Sequence, residues 1–365
     1  MAISKIPSAG FQDNVKFRNI IINGDMSIAQ RGTSQASVTS SGYYTCDRWH
    51  IENSNMGTFT ISQSTDVPTG QGFANSLKFD CTTADASPSS GDTIGLRQKF
   101  EGQNLQYLKF ATSSAESLTL SFWIKSNKTG TYNVALFGQV SAPTAQYLTK
   151  AYTISSADTW EKKTITYSGN TANGFNNTNA RNLDLVFNFG TGSSNTGGTL
   201  QTNWSNYGTS ADYYATQGVN IADSTSNELY ITGVQLESGT ASDFEFLPHD
   251  VNRRRCDRYF QRILSDSAYT AFGAGTVYNA SLAPTFVPYR LEMRSSPTFS
   301  VSNVLFTQGD ASKTVTSISS TNAGKSSLYI DLNCSSGGMT TGRGGLLLAS
   351  NNSNAYIQMD AELWL

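Results

Sequence analysis

The segment SLTLSFWIKS, residues 117–126, sets Leu118, Leu120, Phe122 and Ile124 on one side and Thr119, Ser121, Trp123 and Lys125 on the other. Only an extended chain with one buried face satisfies that two-residue period. The pattern recurs in HIENSNMGTFTISQS, NSLKFDC, IGLRQKF, TYNVALFGQV, TWEKKTITYSG (159–169), NLDLVFNFGTG (182–192) and ELYITGVQLESG (228–239), with Gly, Ser and Asn between the runs. A turn at 127–130 predicts that the 117–126 strand forms a hairpin with TYNVALFGQV. Many short strands closed over one core describe a sandwich or jelly roll.

A charged segment, FEFLPHDVNRRRCDRYFQRI (244–263), interrupts the strands. Cys256, Tyr259, Phe260 and Ile263 share one face at helical spacing, and Arg254, Asp257, Arg258 and Gln261 share the other. Pro248 precedes the start, and Asp250 is placed to cap the first turn. The spacing predicts a helix over 251–264. Beyond it, KTVTSISSTN, KSSLYIDLNC and AYIQMDAELWL return to strand character. The expected fold is therefore all-β: a jelly-roll sandwich over 17–248, a connecting helix within 249–265, and a smaller β-sandwich over 266–365. Residues 1–16, polar and unable to form a core, read as an attachment arm.

Composition excludes several roles. The net charge of −2, with charged residues at 14%, offers no basic surface for nucleic acid. Cys46, Cys81, Cys256 and Cys334 are scattered without a CxxC pair and read as buried free thiols. Met1 opens a polar stretch without an apolar core, which predicts no secretory signal, and no run is apolar enough for a membrane helix. The Gly-rich loop 335–345 lacks the Lys-Ser/Thr of a phosphate loop. His50 and His249 stand in different motifs without a nucleophile beside either. Asp47, Glu52, Asp158, Glu161, Asp184 and Glu237 are carboxylates that a glycosidase could use only if two faced each other across a cleft. The expectation is a protein that is not an enzyme.

A connection from 190 to 223 has no alternation yet holds Trp204, Tyr207, Tyr213 and Tyr214. Connections this long are functional or are ordered flaps. These aromatics, flanked by Asn203, Asn206 and Asp212, either stack on sugar faces or pin the loop to the sandwich or to a neighbouring subunit. The run Leu346–Leu348 is too continuous for a one-sided surface strand and predicts burial between subunits.

The order of FRNIIINGDMSIAQRGTS, YYTCDRWHIE, IGLRQKFEG, LTLSFWIKSNKTGTYNVALF, ELYITGVQLESG and FEFLPHDVNRRRCDRYFQRI resembles a family of bacteriophage virion proteins, chiefly tail fibre and receptor-binding proteins of marine and cyanobacterial phages. VPYRLEMRSSPTFSV is similar, more loosely, to that family's C-terminal module. The first domain also looks like a carbohydrate-binding jelly roll. The resemblance implies a homotrimeric virion component, held to other virion proteins by its N-terminal arm and binding a host-surface glycan as a multivalent oligomer. Behind that reading stand, first, a capsid-decorating, head-fibre or tail-adaptor protein without adhesive role and, second, a surface polysaccharide depolymerase. The resemblance further implies no cofactor beyond a structural calcium, for which Asp25, Asp47 and Glu237 stand at the motif positions.

Overall fold

The computed structural model describes residues 17–138, 145–209, 212, 214–215, 218–335 and 337–364, apart from the side chains of 320–323 and 328. The expected arm, 1–16, lies outside the described residues. The chain divides into two compact units, one of Met1–Ser27, Ser34–Tyr44 and Trp49–Leu247, the other of Ile28–Thr33, Thr45–Arg48 and Pro248–Leu365. Both are β structures, and no helix among the described residues is long and apolar enough to cross a membrane. Cys46, Cys81, Cys256 and Cys334 are buried, and none forms a disulfide among the described residues.

In the first unit the sheet has 11 strands among the described residues. They are β1 (Ser34–Tyr43), β2 (His50–Ser64), β3 (Ser76–Thr83), β4 (Thr93–Glu101), β5 (Leu118–Ser126), β6 (Gly130–Gly138), β7 (Gln146–Ile154), β8 (Glu161–Tyr167), β9 (Arg181–Thr191), β10 (Ser205–Asn206) and β11 (Glu228–Ser238). Their order is β10-β7-β6-β9-β4-β2-β3-β11-β5-β8, with β1 on β2. The sheet folds over on itself. Phe122 of β5 meets Tyr152 of β7 and Phe187 of β9 edge-on at 5.1 and 5.0 Å, and Phe79 of β3 meets Phe189 of β9 at 5.1 Å. The sandwich read from the alternation is thus one sheet whose two ends share a core.

Strand β2 turns the corner. Its residues 50–55 pair with β4 and its residues 58–64 with β3. Between them Asn55 and Gly57 take φ 57° and 67°. A Cβ on Gly57 would lie 2.7 Å from the Thr83 carbonyl oxygen. A bulge of this kind is how a strand passes from one layer to the next. The expected hairpin of 117–126 with TYNVALFGQV does not form: β5 pairs with β11 and β8, while β6 pairs with β7 and β9. The turn at 127–130 carries the chain across the core, because both strands bring apolar faces to it from opposite layers.

The second unit begins with α1 (His249–Asp257) and continues through β12 (Phe260–Leu264), β13 (Ala271–Thr276), β14 (Leu282–Pro288), β15 (Thr298–Ser302), β16 (Val304–Thr307), β17 (Ser312–Ala323), β18 (Ser327–Cys334), β19 (Gly344–Ala349) and β20 (Tyr356–Asp360). The helix is shorter than its periodicity predicts. It stops at Asp257, and residues 260–264 join β20 in antiparallel register from Phe260↔Asp360 to Leu264↔Tyr356. Aromatic and branched side chains favour the strand, and the partner edge of β20 supplies the ladder that decides it. Asp250 lies inside the first turn and Pro248 holds the N-cap, with no side-chain cap bond.

Strand β20 sits between β12 and β15, and β13-β14-β18-β17-β16-β19 close into a barrel, a closure that strand periodicity alone does not distinguish from an open sandwich. Phe272, Val287, Phe306, Ile330, Leu332 and Leu347 fill the core with Ile357 and Met359. On the outside, direct register places Leu346, Ala274, Phe286 and Tyr329 side by side across four strands. Three of them are 45%, 52% and 41% exposed (Leu346, Phe286 and Tyr329).

Residues 28–33 and 45–48 belong to the second unit through buried charges rather than strand pairing. Arg48 forms an ion pair with Glu362 and lies 3.5 Å over the Tyr259 ring. Arg31 pairs with Asp360 at 3.0 Å and lies 3.5 Å over Phe260. The Gln30 amide donates to Asp47 at 2.6 Å and to Asp257 at 3.1 Å, and Asp257 also accepts from Arg253 and Arg290. The AQRG, CDR and RRRCDRYF motifs therefore meet in one structural network.

Candidate aromatic groove

An aromatic groove of the first unit starts from a glycine. Opposite β5, strand β11 slips register between Thr232↔Trp123 and Gln235↔Ser121, which inserts one extra residue. Gly233 takes φ 61° there, a left-handed conformation that suits a residue without Cβ. A Cβ on Gly233 would lie 2.6 Å from the Phe73 ring. Phe73 can lie over the bulge because nothing projects from it.

Phe244 and Phe246 alternate about Glu245 in the extended segment after β11. The three rings are mutually packed at 5.0, 5.1 and 4.8 Å, and Phe246 remains 50% exposed. Gln235 holds this segment: its amide donates to Glu237 at 2.8 Å and to the Asp243 carbonyl at 3.2 Å, and it accepts from the Glu245 amide at 2.8 Å. Glu237 in turn accepts from the Ser242 amide and hydroxyl at 2.8 and 2.6 Å. Trp123 lines the same groove. The groove has a volume of about 300 Å³ and is lined by these aromatics together with Gln71, Ser121, Lys162, Gln235, Ser242 and Asp243. That is the lower end of the range for ligand clefts. Among the described residues no ring contact or hydrogen bond engages the half-buried Trp123 indole, and no ion pair engages the Lys162 ammonium.

The same sheet face continues past Trp123. Lys125 lies 4.5 Å over Tyr230 and 5.7 Å from the Trp160 ring, and pairs with Asp66. Trp160 donates to Asp66 at 3.0 Å, and Lys78 pairs with Glu228 at 2.7 Å. These groups satisfy one another. The Lys125 bond and the Trp160 bond hold the Asp66 carboxyl below the usual range, although burial pulls the other way.

The described loop aromatics expected at a sugar site, Trp204, Tyr207 and Tyr214, lie outside this groove. Trp204 donates to the Ser168 carbonyl at 2.7 Å and meets Phe110 edge-on at 5.7 Å. Tyr214 is buried with Ala135, Phe137, Tyr147 and Val186, and Tyr207 packs on the same cluster. Burial pushes the Tyr214 hydroxyl far above its ordinary pKa. Tyr213 lies outside the described residues. The geometry of the described three is that of staples.

Tyr207, Tyr214 and their neighbours cover a polar layer on the outer face of β2, β4, β9 and β6. Arg97 pairs with Glu52 at 2.8 Å and with Asp184 at 3.2 Å, and Asn133 donates to the Ala215 carbonyl. Burial, aided by Lys99 and Arg97, lowers His50 to about 2, and burial lowers Lys99 to about 8. This layer is closed over by the loop.

The residues expected at a calcium site are not gathered. Asp25 accepts from the Ser27 hydroxyl at 3.0 Å, Glu237 holds Ser242, and Asp47, in the second unit, is bound by Gln30. Among the described residues no group of three or more His, Cys, Asp or Glu side chains is arranged to hold a metal ion. The groove residues Phe73, Trp123, Phe244 and Phe246 escaped the sequence reading. The available signal was an indole on the polar side of a period-2 strand.

No protein-family model matches the chain, and no curated protein does. Solved structures overlap it weakly. A tailspike enzymatic domain of bacteriophage CBA120 is 12% identical over 60% of this chain, with a TM-score of 0.33, and the chain spans only 21% of that protein. A xylan-binding domain from Paenibacillus barcinonensis is 13% identical over 59% of this chain and 100% of its own length, with a TM-score of 0.28. A family 11 carbohydrate-binding module from Clostridium thermocellum is 9% identical over 57% of this chain and 98% of its own, also at 0.28. Similarity of this degree fixes neither ligand nor role.

Proposed function

We propose that this protein is a glycan-binding virion component that holds sugar in the groove of Phe73, Trp123, Phe244 and Phe246. The observation that carries the reading is the Trp123 indole, half-buried, unengaged by any other ring among the described residues, and lining the same groove as the exposed Phe246. Aromatic faces complement the C–H faces of sugars, and the groove's hydroxyl and amide groups suit sugar hydroxyls.

The virion assignment, with a tail-fibre or receptor-binding place on the particle, draws its support from the motif order of the sequence. A homotrimer suits the apolar row on the barrel and raises avidity by holding several weak sites together. The test is calorimetric titration with an oligosaccharide panel. Trp123→Ala should weaken the best ligand roughly tenfold or more, a loss of about 1.4 kcal/mol or greater, without change in Tm. Undiminished binding by that variant would reject the groove as the site.

A further inference from the structure

Lys162 stands directly across from Trp123 in the β5–β8 register and lines the groove. Neighbouring cations on this strand pair and sheet face are already matched: Lys78 with Glu228, Lys125 with Asp66, and Lys163 with Glu161. Among the described residues Lys162 has no carboxylate within ion-pair distance, and Asp243, on the same groove, does not reach it. An unmatched ammonium beside an unoccupied indole is a paired arrangement of stacking surface and point charge.

Resting on the groove's reading as a sugar site, we infer that its ligand is an acidic glycan, with a carboxylate at the edge of the ring that stacks on Trp123. The sugar's apolar face covers the indole, and its anionic substituent projects past the ring edge to the Lys162 ammonium, which donates to it. The cation is exposed, so the gain per site is modest and falls as salt screens it. Neutral sugars keep the stacking and lose the charge-assisted bond.

The experiment uses the full chain and matched probes: oligosaccharides of polygalacturonate, alginate and hyaluronan, each beside its carboxyl-reduced counterpart, titrated at low and high salt. The expected result is that the acidic member of at least one pair binds roughly threefold or more tighter at low salt. That margin should vanish in Lys162→Gln, which binds the acidic and the reduced member of the pair alike and keeps its Tm. Equal binding within every pair, or a margin that survives Lys162→Gln, overturns the acidic-ligand inference while Trp123-dependent binding keeps the groove. Absence of binding by all six probes at millimolar concentration, in protein with Trp123 intact, overturns both.

Discussion

Single residues set the character of both units. Gly233 is the clearest case, since its φ and the ring above it each demand glycine. Gly233→Ala should cost roughly 1–2 kcal/mol from the left-handed backbone alone, with more from displacing Phe73, and should weaken sugar binding together with stability. Denaturant unfolding alongside titration checks it, and an unchanged midpoint would mean that the bulge relaxes freely. In the second unit Asp47 is held by Gln30 yet its pKa is raised to about 6, because burial outweighs the nearby Arg31 and those hydrogen bonds. The sign follows from linkage: a carboxyl whose folded pKa lies above its unfolded value binds protons more readily when folded. Its ionisation therefore costs stability above pH 6, and that cost, of order 3 kcal/mol at most, is relieved as pH falls towards 4. Thermal melts between pH 7 and pH 4.5 should show Asp47→Asn flattening a rise that the native protein displays on acidification. A native profile no steeper than the variant's would remove Asp47 as the cause.

At the level of elements, the two-residue period found the strands because each has one face on a core, a property local to the run. Partners are not local. Whether β5 turns back into a hairpin or crosses to the other layer depends on β8 and β11, far along the chain, and the same turn sequence serves either path. The helix overran for a related reason: Tyr259, Phe260 and Ile263 satisfy a helical stripe, and only the edge of β20 makes the strand the better solution. The groove was harder to read because Phe73, Trp123, Lys162 and Phe246 come from four segments brought together by one bulge. The 190–223 connection offered the opposite lure, with aromatics adjacent in sequence that the fold spends on packing. Trp204→Ala should accordingly cost about 2–3 kcal/mol by losing its hydrogen bond and the edge of Phe110, while sugar affinity stays within twofold. Lost binding at full stability would return that loop to the ligand.

For the whole molecule, the proposed function asks how modest sites would add up to firm attachment. If the groove binds sugar as proposed, one stacking indole and one exposed cation would give weak binding, whereas several copies held together would multiply it through effective concentration. The expected burial of Leu346–Leu348 between subunits divides on inspection: Leu347 faces the barrel core, while Leu346 looks outward in register with Ala274, Phe286 and Tyr329. Such a row on an outer barrel face, extended by the outward Leu305 and Leu348 pair, is apolar surface of the kind that self-association covers. A symmetric assembly of three copies would hide it. Sedimentation at micromolar concentration should find the native chain as a trimer, and Phe286→Arg should release monomers with an unaltered β-sheet spectrum. Adsorption to a glycan-coated surface should then fall far more than single-site affinity in solution, which the substitution leaves intact. A native monomer, or a variant trimer, would detach the barrel from assembly, and avidity would have to come from the particle alone.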